Sequence, residues 1–300
     1  AAEARPAMMD LRYHVVSFIA IFLALAAGVM LGGTQFNAQK YESMLHRIEE
    51  QQAQLRQEND DTRRESDRLR AALAHRDAAL RELVPRLVAG RVAAGTRVAV
   101  AWCGEWESRA FWGDLESLLR AAGATIAVRL TVPDHLRELP PDLRQRAIAY
   151  FGGTMTPGSR ETLRWFVRGL LSGGYGQLLR EVAAAAGIEV EGDLSSGATC
   201  LLLLSSVRTP ERQQRAAAGE LPEVYLADAA LEFQGRVVAA EPEEQEESFV
   251  RVLGRRGVPT VDNVETPLGQ LSVALAIGGQ SGQFGAKVGA TAPFPPLPHP

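Results

Sequence analysis

Two cysteines in 300 residues cannot build a disulfide framework, and no CxxC pair or His/Cys grouping supplies the ligands of a structural zinc site. Basic charge is not in excess either. Lys plus Arg number 32 against 36 Asp plus Glu, a net charge of −4, which argues against a nucleic-acid partner bound by phosphate neutralisation. The five histidines are scattered, no two of them at a ligand spacing. Glycine patterns of nucleotide sites are missing as well: Cys103-Gly-Glu-Trp106 follows the first strand-like run where a GxGxxG would stand, and there is no Walker loop. Gly279-Gln-Ser281-Gly282 opens like a nucleophile elbow, but Gln283 occupies the place of its second glycine and no strand leads into it. These absences predict a protein that is not an enzyme, needs no cofactor and rests on its own hydrophobic core.

What is present begins with an apolar run. Val15 to Gly33 is nineteen residues without an ionisable side chain, about 28 Å as a helix and enough to cross a bilayer. A cleaved signal peptide competes with this, since Arg5 and Arg12 precede the run and Ala24-Leu25-Ala26 resembles a cleavage site. The run continues past that site, and Ala20, Ala24, Gly28 and Gly32 form a small-residue stripe on which two membrane helices can approach. The expectation is a transmembrane signal anchor at 15–33 behind a short cytoplasmic head at 1–14, with the rest of the chain extracytoplasmic. Lys40 and Arg47 nearly balance Arg5 and Arg12, so this orientation rests more on the short head and large C-terminal body than on charge.

Residues 40–87 hold ten basic and ten acidic side chains and no glycine. One ladder reads Leu45, Gln52, Asn59, Ser66, Leu73, Leu80, Leu87; another reads Ile48, Leu55, Thr62, Leu69, Arg76, Leu83. Both keep a spacing of seven, offset by three and then four, which is the seam of a left-handed coiled coil about 65 Å long. A coiled coil over 36–88 is expected, pairing two copies in parallel, with polar seam residues restricting register. The alternative is a single solvated, charged helix.

From Arg97 the pattern changes to short apolar runs alternating with amphipathic stretches. Strands are expected at Val98–Trp102, Thr125–Leu130, Ile188–Val190, Thr199–Ser205, Arg236–Ala240 and Val258–Val261. Leu201–Leu204 is unbroken, as in a strand buried on both faces. Segments ending at Gly123, Gly187 and Gly257 each read as a helix stopped by glycine before a strand. The fold class is therefore α/β: a single N-terminal transmembrane helix, a long coiled-coil helix, then a mainly parallel, Rossmann-like sheet with helices on both faces. This α/β domain should span 95–285, and 286–300, with proline at 293, 295, 296, 298 and 300, should be an extended tail.

Three features could carry chemistry. Glu241, Glu243, Glu244, Glu246 and Glu247 suit the positive end of a helix starting at Pro242, with Arg251, Arg255 and Arg256 at its negative end; a cation site is the alternative. Gly169, Gly173, Gly174 and Gly176 fit a turn between two helices. Cys103 after the first strand and Cys200 at the start of a later one should lie at opposite ends of a parallel sheet as buried, unbridged thiols; they are also the candidates for a metal site.

Met9-Asp-Leu-Arg-Tyr-His-Val-Val-Ser-Phe and the apolar helix that follows resemble the opening of the bacterial copper-transporter family, also called the MctB family. Val261-Asp-Asn-Val-Glu-Thr-Pro-Leu-Gly269 and Gly282-Gln-Phe-Gly-Ala-Lys-Val-Gly289 are similar to its late motifs. The resemblance covers nearly the whole chain from Met9. It implies a membrane protein of the cell envelope, connected with copper homeostasis or transport, and touches relatives that resemble partners in envelope assembly and division. Arg12, Tyr13, His14, Asp262, Asn263, Thr266 and Gly269 match its motif positions, to which the resemblance assigns no role. Copper is a partner only through this resemblance. From the residues themselves the implied partners are the lipid bilayer and a second copy of the chain, and an envelope protein is implied by the resemblance; Cu(I) selects thiolate and thioether ligands, and Cys103, Cys200, Met30, Met44 and Met155 have no ligand-like spacing.

Overall fold

The computed structural model describes residues 11–151, 158–244, 249–287 and 289–296. The chain divides into two units, residues 1–73 and 74–300. Helix α1, Leu11–Val88, runs through both and continues across Gly32 and Gly33. Its first part contains the one described span, Arg12–Gly32, long and apolar enough to cross a membrane, and the side chains of that span have no cover from the protein. Leu45, Ile48, Leu55, Leu69 and Leu73 are all exposed on the same helix.

Pro85 lies inside α1, which ends at Val88, where the expected coiled coil was to stop. The stop falls at Gly90, whose φ of 68° suits glycine. The last turns of α1 belong to the second unit: Val84 and Val88 are buried in its core, and Leu80 packs against the same cluster. Leu83 and Leu87 remain exposed. The seam and the face docked on the domain are therefore neighbouring stripes of one helix that share Leu80. Arg81 of α1 and Asp114 add an ion pair at 3.5 Å.

Seven described strands form one sheet in the order β3-β2-β1-β4-β5-β6-β7. They are β1 (Arg97–Cys103), β2 (Thr125–Val132), β3 (Glu189–Gly192), β4 (Cys200–Ser205), β5 (Arg236–Ala240), β6 (Thr260–Val261) and β7 (Gln283–Phe284). All pairings are parallel except that of β3, an edge strand antiparallel to β2. Helices cover both faces: α2 (Trp112–Ala122), α3 (Pro141–Phe151), α4 (Ser159–Ser172), α5 (Gly176–Ala186), α6 (Pro210–Ala218), α7 (Pro222–Glu232), α8 (Val250–Gly254) and α9 (Pro267–Ile277). Gly173 and Gly174, both at positive φ, form the expected turn between α4 and α5.

Side-chain alternation along each strand sorts the core into two layers. Ala99, Ala101, Leu201, Leu203, Val237 and Ala239 face α3 to α7. Val98, Val100, Trp102, Leu202, Leu204 and Val238 face α2, α9 and the end of α1. Every residue of β4 is buried, which is why its sequence shows no polar alternation. The expected tail starts later than 286. Phe284 bridges Ala292, and Thr291 donates its backbone N–H to the Gln283 carbonyl at 2.7 Å, so this stretch folds back onto β7. Pro298 and Pro300 lie outside the described residues.

Val88→Asp should destabilise the protein by several kcal/mol, because it strands an unpaired carboxylate in the core layer beneath α1. Glu82→Gln, on the exposed side of the same helix, should stay within about 0.5 kcal/mol. Denaturant unfolding of the full-length protein followed by tryptophan fluorescence reads both; equal losses would mean that the end of α1 is not part of the core.

Candidate functional site

In an open α/β sheet ligands enter at the carboxyl ends of the strands where the strand order reverses. Here that point lies between β1 and β4, which pair side by side while their onward connections lead to opposite edges. The crevice is closed. Gly104, at φ 76°, lies so near the β4–α6 loop that a Cβ there would stand 2.2 Å from the Ser206 carbonyl oxygen. Beneath it Arg212, 2% exposed, reaches in from α6 and pairs with the fully buried Glu223 at 2.5 Å and with Asp134. The Ser205 hydroxyl donates to the same Glu223 carboxylate. An ionic network thus fills the position a substrate would take in a related architecture, with the single Arg212 guanidinium set between the Glu223 and Asp134 carboxylates.

Cys103 ends β1 against this network. Burial pushes its thiol well above the ordinary range, with nearby Glu223 acting in the same direction and Arg212 opposing. Cys200 pairs in register with Val98, five residues before Cys103 on the neighbouring strand, a separation of about 16 Å along the sheet. Its thiol is pushed up to about 12 by burial, with Arg236 opposing. The two thiols therefore stand at opposite ends of the sheet, as the sequence suggested, and both are free. Neither is poised as a thiolate, the form that attacks carbon or binds Cu(I). Among the described residues no three His, Cys, Asp or Glu side chains converge as a metal site. Met30 and Met44 lie exposed on α1 and Met155 is outside the described residues. His135 faces Glu211 at 3.6 Å and His46 faces Glu49 at 3.6 Å. Ser281 sits in the turn between α9 and β7, so no strand feeds it as a nucleophile elbow requires.

The late sequence motifs converge beyond β5 and β6. Asp262, 3% exposed, accepts backbone N–H bonds from Ala286 at 2.7 Å and Lys287 at 3.0 Å. Gly285, at φ 139°, is required there, since a Cβ would stand 1.8 Å from the Asp262 carboxylate. Thr266 caps α9 by accepting from the Gly269 N–H at 3.0 Å, and it donates its hydroxyl to the Asn263 carbonyl at 2.9 Å. A Cβ on Gly269 would overlap that carbonyl at 1.9 Å. Asp262, Asn263, Thr266 and Gly269 are thus brought together with the Gly282–Gly289 segment as one folded corner. Arg12, Tyr13 and His14 stand at the start of the apolar span, exposed on α1.

One element of this corner was not anticipated. Glu241 follows β5 and is fully buried, and Lys287 donates to its carboxylate at 2.7 Å and to the Pro242 carbonyl at 2.8 Å. The Phe249 N–H donates to the second carboxylate oxygen at 3.1 Å. This corrects the expected helix start: Pro242, Glu243 and Glu244 are not helical, and α8 begins only at Val250. Glu246 and Glu247 lie outside the described residues. A usable signal was that Lys287 is one of only two lysines in the chain, where 32 basic residues are otherwise arginine. Beside this corner a cleft of about 310 Å³ runs between Trp106, Phe111 and the carboxylates of Glu107, Glu244 and Glu265, with Arg208 paired to Glu107 and, at 3.6 Å, to Glu244. Burial raises the Glu265 carboxyl above the usual range, against the Glu243 N–H that it accepts at 2.9 Å.

An α/β domain with a mostly parallel sheet and a closed switch point, behind an N-terminal helix long and apolar enough to cross a membrane, defines the class of this protein. The sequence model of the family described as "Copper transport outer membrane protein, MctB" matches residues 8–162 and 170–295, and the chain belongs to that family. No curated protein matches it.

Thiol chemistry offers a direct check on the closed sheet ends. At pH 8 an ordinary thiol is about one quarter thiolate, while one at about 12 is thiolate at about 10⁻⁴. Raising a thiol pKa favours the neutral form up to the folded value, so alkylation of the native protein should be negligible from pH 7 to 9. Iodoacetamide followed by mass spectrometry should label neither Cys103 nor Cys200 before denaturation and both after it; fast native labelling of either would contradict the burial.

Proposed function

We propose that this chain is a single-pass, non-enzymatic envelope protein of the copper-transport family. It contributes to copper homeostasis or transport by assembly and not through a copper site within one chain. The match over residues 8–162 and 170–295 carries the copper connection. Support for assembly comes from α1: an apolar span at Arg12–Gly32 and, on the same helix, exposed leucines at heptad spacing. An exposed row of Leu45, Ile48, Leu55, Leu69 and Leu73 is costly in water and is relieved by a second copy in parallel. The N-terminus lies in the cytoplasm, the span stays uncut as an anchor, and the coiled coil and α/β domain lie outside.

Ligand supply argues for copper passing through an assembly. The two buried thiols are about 16 Å apart and cannot hold one ion together. A pathway for the metal would then lie between copies of the chain or between it and a partner. The alternative, a scaffold for envelope assembly or division without copper, draws on the same seam and differs in its cargo.

Full-length protein in detergent tests both parts. Leu69→Asp with Leu73→Asp should convert a dimer into a monomer by sedimentation, because the charges enter the most apolar part of the seam without touching the face docked on the domain. An unchanged mass would place association elsewhere. Titration of the dimer with Cu(I) against a competing chelator should show no copper retained by Cys103 or Cys200. Stoichiometric copper lost in Cys103→Ser or Cys200→Ser would overturn the assembly account in favour of a site within the chain.

A further inference from the structure

The charged side chains that border the α1 seam are sorted by sign. With Leu45 and Ile48 as the seam positions of the first heptad, one border carries Arg56, Arg63 and Arg70 and the other carries Glu58 and Glu65. All five are exposed on α1. The same stretch holds the polar seam positions Asn59, Thr62 and Ser66, so the seam is least apolar where its borders are most charged. A groove of about 480 Å³ between Glu58 and Arg70 follows these positions along the helix. Within one chain the borders are loosely engaged. Glu58 accepts from Gln54 at 3.0 Å, Arg70 stands 3.7 Å from Asp67 with both side chains largely in solvent, and among the described residues no ion pair holds Arg63 or Glu65.

In a two-stranded coil the border positions form the ionic contacts that set partner choice and orientation. When the two helices are parallel and in register, a residue on one border faces the residue five positions later on the opposite border of the other helix. Applied to two copies of this chain, Glu58 of one meets Arg63 of the other and Glu65 meets Arg70, and the same two contacts repeat across the two-fold axis. Reversing one copy instead sets like border against like border, arginine facing arginine and glutamate facing glutamate. Slipping one copy by a heptad sets Glu65 against Asp77 and Ser66 opposite Leu73, which adds a repulsion and loses a leucine pair. One arrangement satisfies both the charges and the seam.

We propose that Glu58, Arg63, Glu65 and Arg70 form an ionic clasp between two copies of α1 that admits a second copy of this chain, parallel and in register, and rejects helices of other charge order. The inference rests on the pairing of α1 proposed above and adds what selects the partner and its direction. The polar seam residues serve the same selection. A seam of leucine throughout would accept many amphipathic helices, whereas a stretch with little apolar surface leaves the choice to the charges. Each exposed ion pair contributes little alone, but a wrong partner exchanges all of the attractions for repulsions.

A full-length chain carrying Glu58→Arg, Arg63→Glu, Glu65→Arg and Arg70→Glu keeps its composition and every seam residue while its two borders are exchanged. Wild-type and exchanged chains are coexpressed with different affinity tags and solubilised in detergent, and dimers captured through both tags in succession are quantified by mass spectrometry. The exchanged chain alone should form a dimer of the wild-type mass, since its own borders remain complementary. Mixed dimers should fall about tenfold below random pairing. Mixed dimers at the random level would show that the charges do not select. Mixed dimers in excess would show antiparallel chains, because reversal sets wild-type and exchanged borders together as opposite charges. Either result, or loss of the dimer in the exchanged chain alone, would overturn the clasp and leave the pairing of α1 standing; a monomeric wild type would overturn both.

Discussion

Two central strands with no solvent face impose the rest of this structure. β1 and β4 lie side by side in the middle of the sheet, and from Val98 to Cys103 and Cys200 to Ser205 every side chain is buried. A strand of that kind is stable only if both faces are covered, because each exposed leucine would forfeit about 2 kcal/mol. Helices α3 to α7 cover one face. On the other, α2 and α9 do not suffice, and Val84 and Val88 at the end of α1 complete the layer. The helix whose N-terminal part has the composition of a membrane span is therefore also a core element of the α/β domain, so that its last turns and the sheet must fold together.

This constraint has a functional consequence. Where many α/β proteins leave a crevice, here Gly104 lets the β1–α2 loop lie on the β4–α6 loop, and Arg212, Asp134 and Glu223 fill the space below. Burying that network is expensive unless every charge is compensated, and removing one partner would strand the others. The Cys103 thiol is sealed by the same packing, and Cys200, at the other end of the sheet, by the layer formed with α2, α9 and the end of α1. A surface with an unmet need is found elsewhere, in the heptad leucines of α1. It calls for something outside one chain, which is the physical content of proposing assembly for a family named after copper.

Much of the architecture was legible because burial leaves a strong pattern. Leu201–Leu204 announces a two-faced strand, and Gly123 and Gly187 mark helix ends by their left-handed backbone. Strands β6 and β7, two residues each, are too short to show a period, and β7 was not anticipated. The antiparallel direction of β3 depends on the edge it joins, a tertiary choice that local sequence does not encode. The acidic stretch after β5 was misjudged for a specific reason: proline followed by carboxylates suits a helix start, but here Glu241 answers to Lys287, 46 residues further on. Tertiary pairing outweighed a helix-terminal preference. The late motif was visible as Asp262, Asn263, Thr266 and Gly269, whereas their role as one corner closed on Gly285 emerged only from the packing.

The central claim is that the exposed leucine ladder of α1 pairs two copies of this chain. Single cysteines placed in turn at positions 62 to 76, in a background with Cys103 and Cys200 replaced by serine, can be oxidised in native membranes and scored for disulfide-linked dimers. The account predicts cross-linking maxima at Thr62, Ser66, Leu69, Leu73 and Arg76, with minima between them, the three-then-four repeat of a parallel in-register seam. Uniformly weak cross-linking, or maxima on the charged face at Arg64, Arg68 and Asp67, would contradict it.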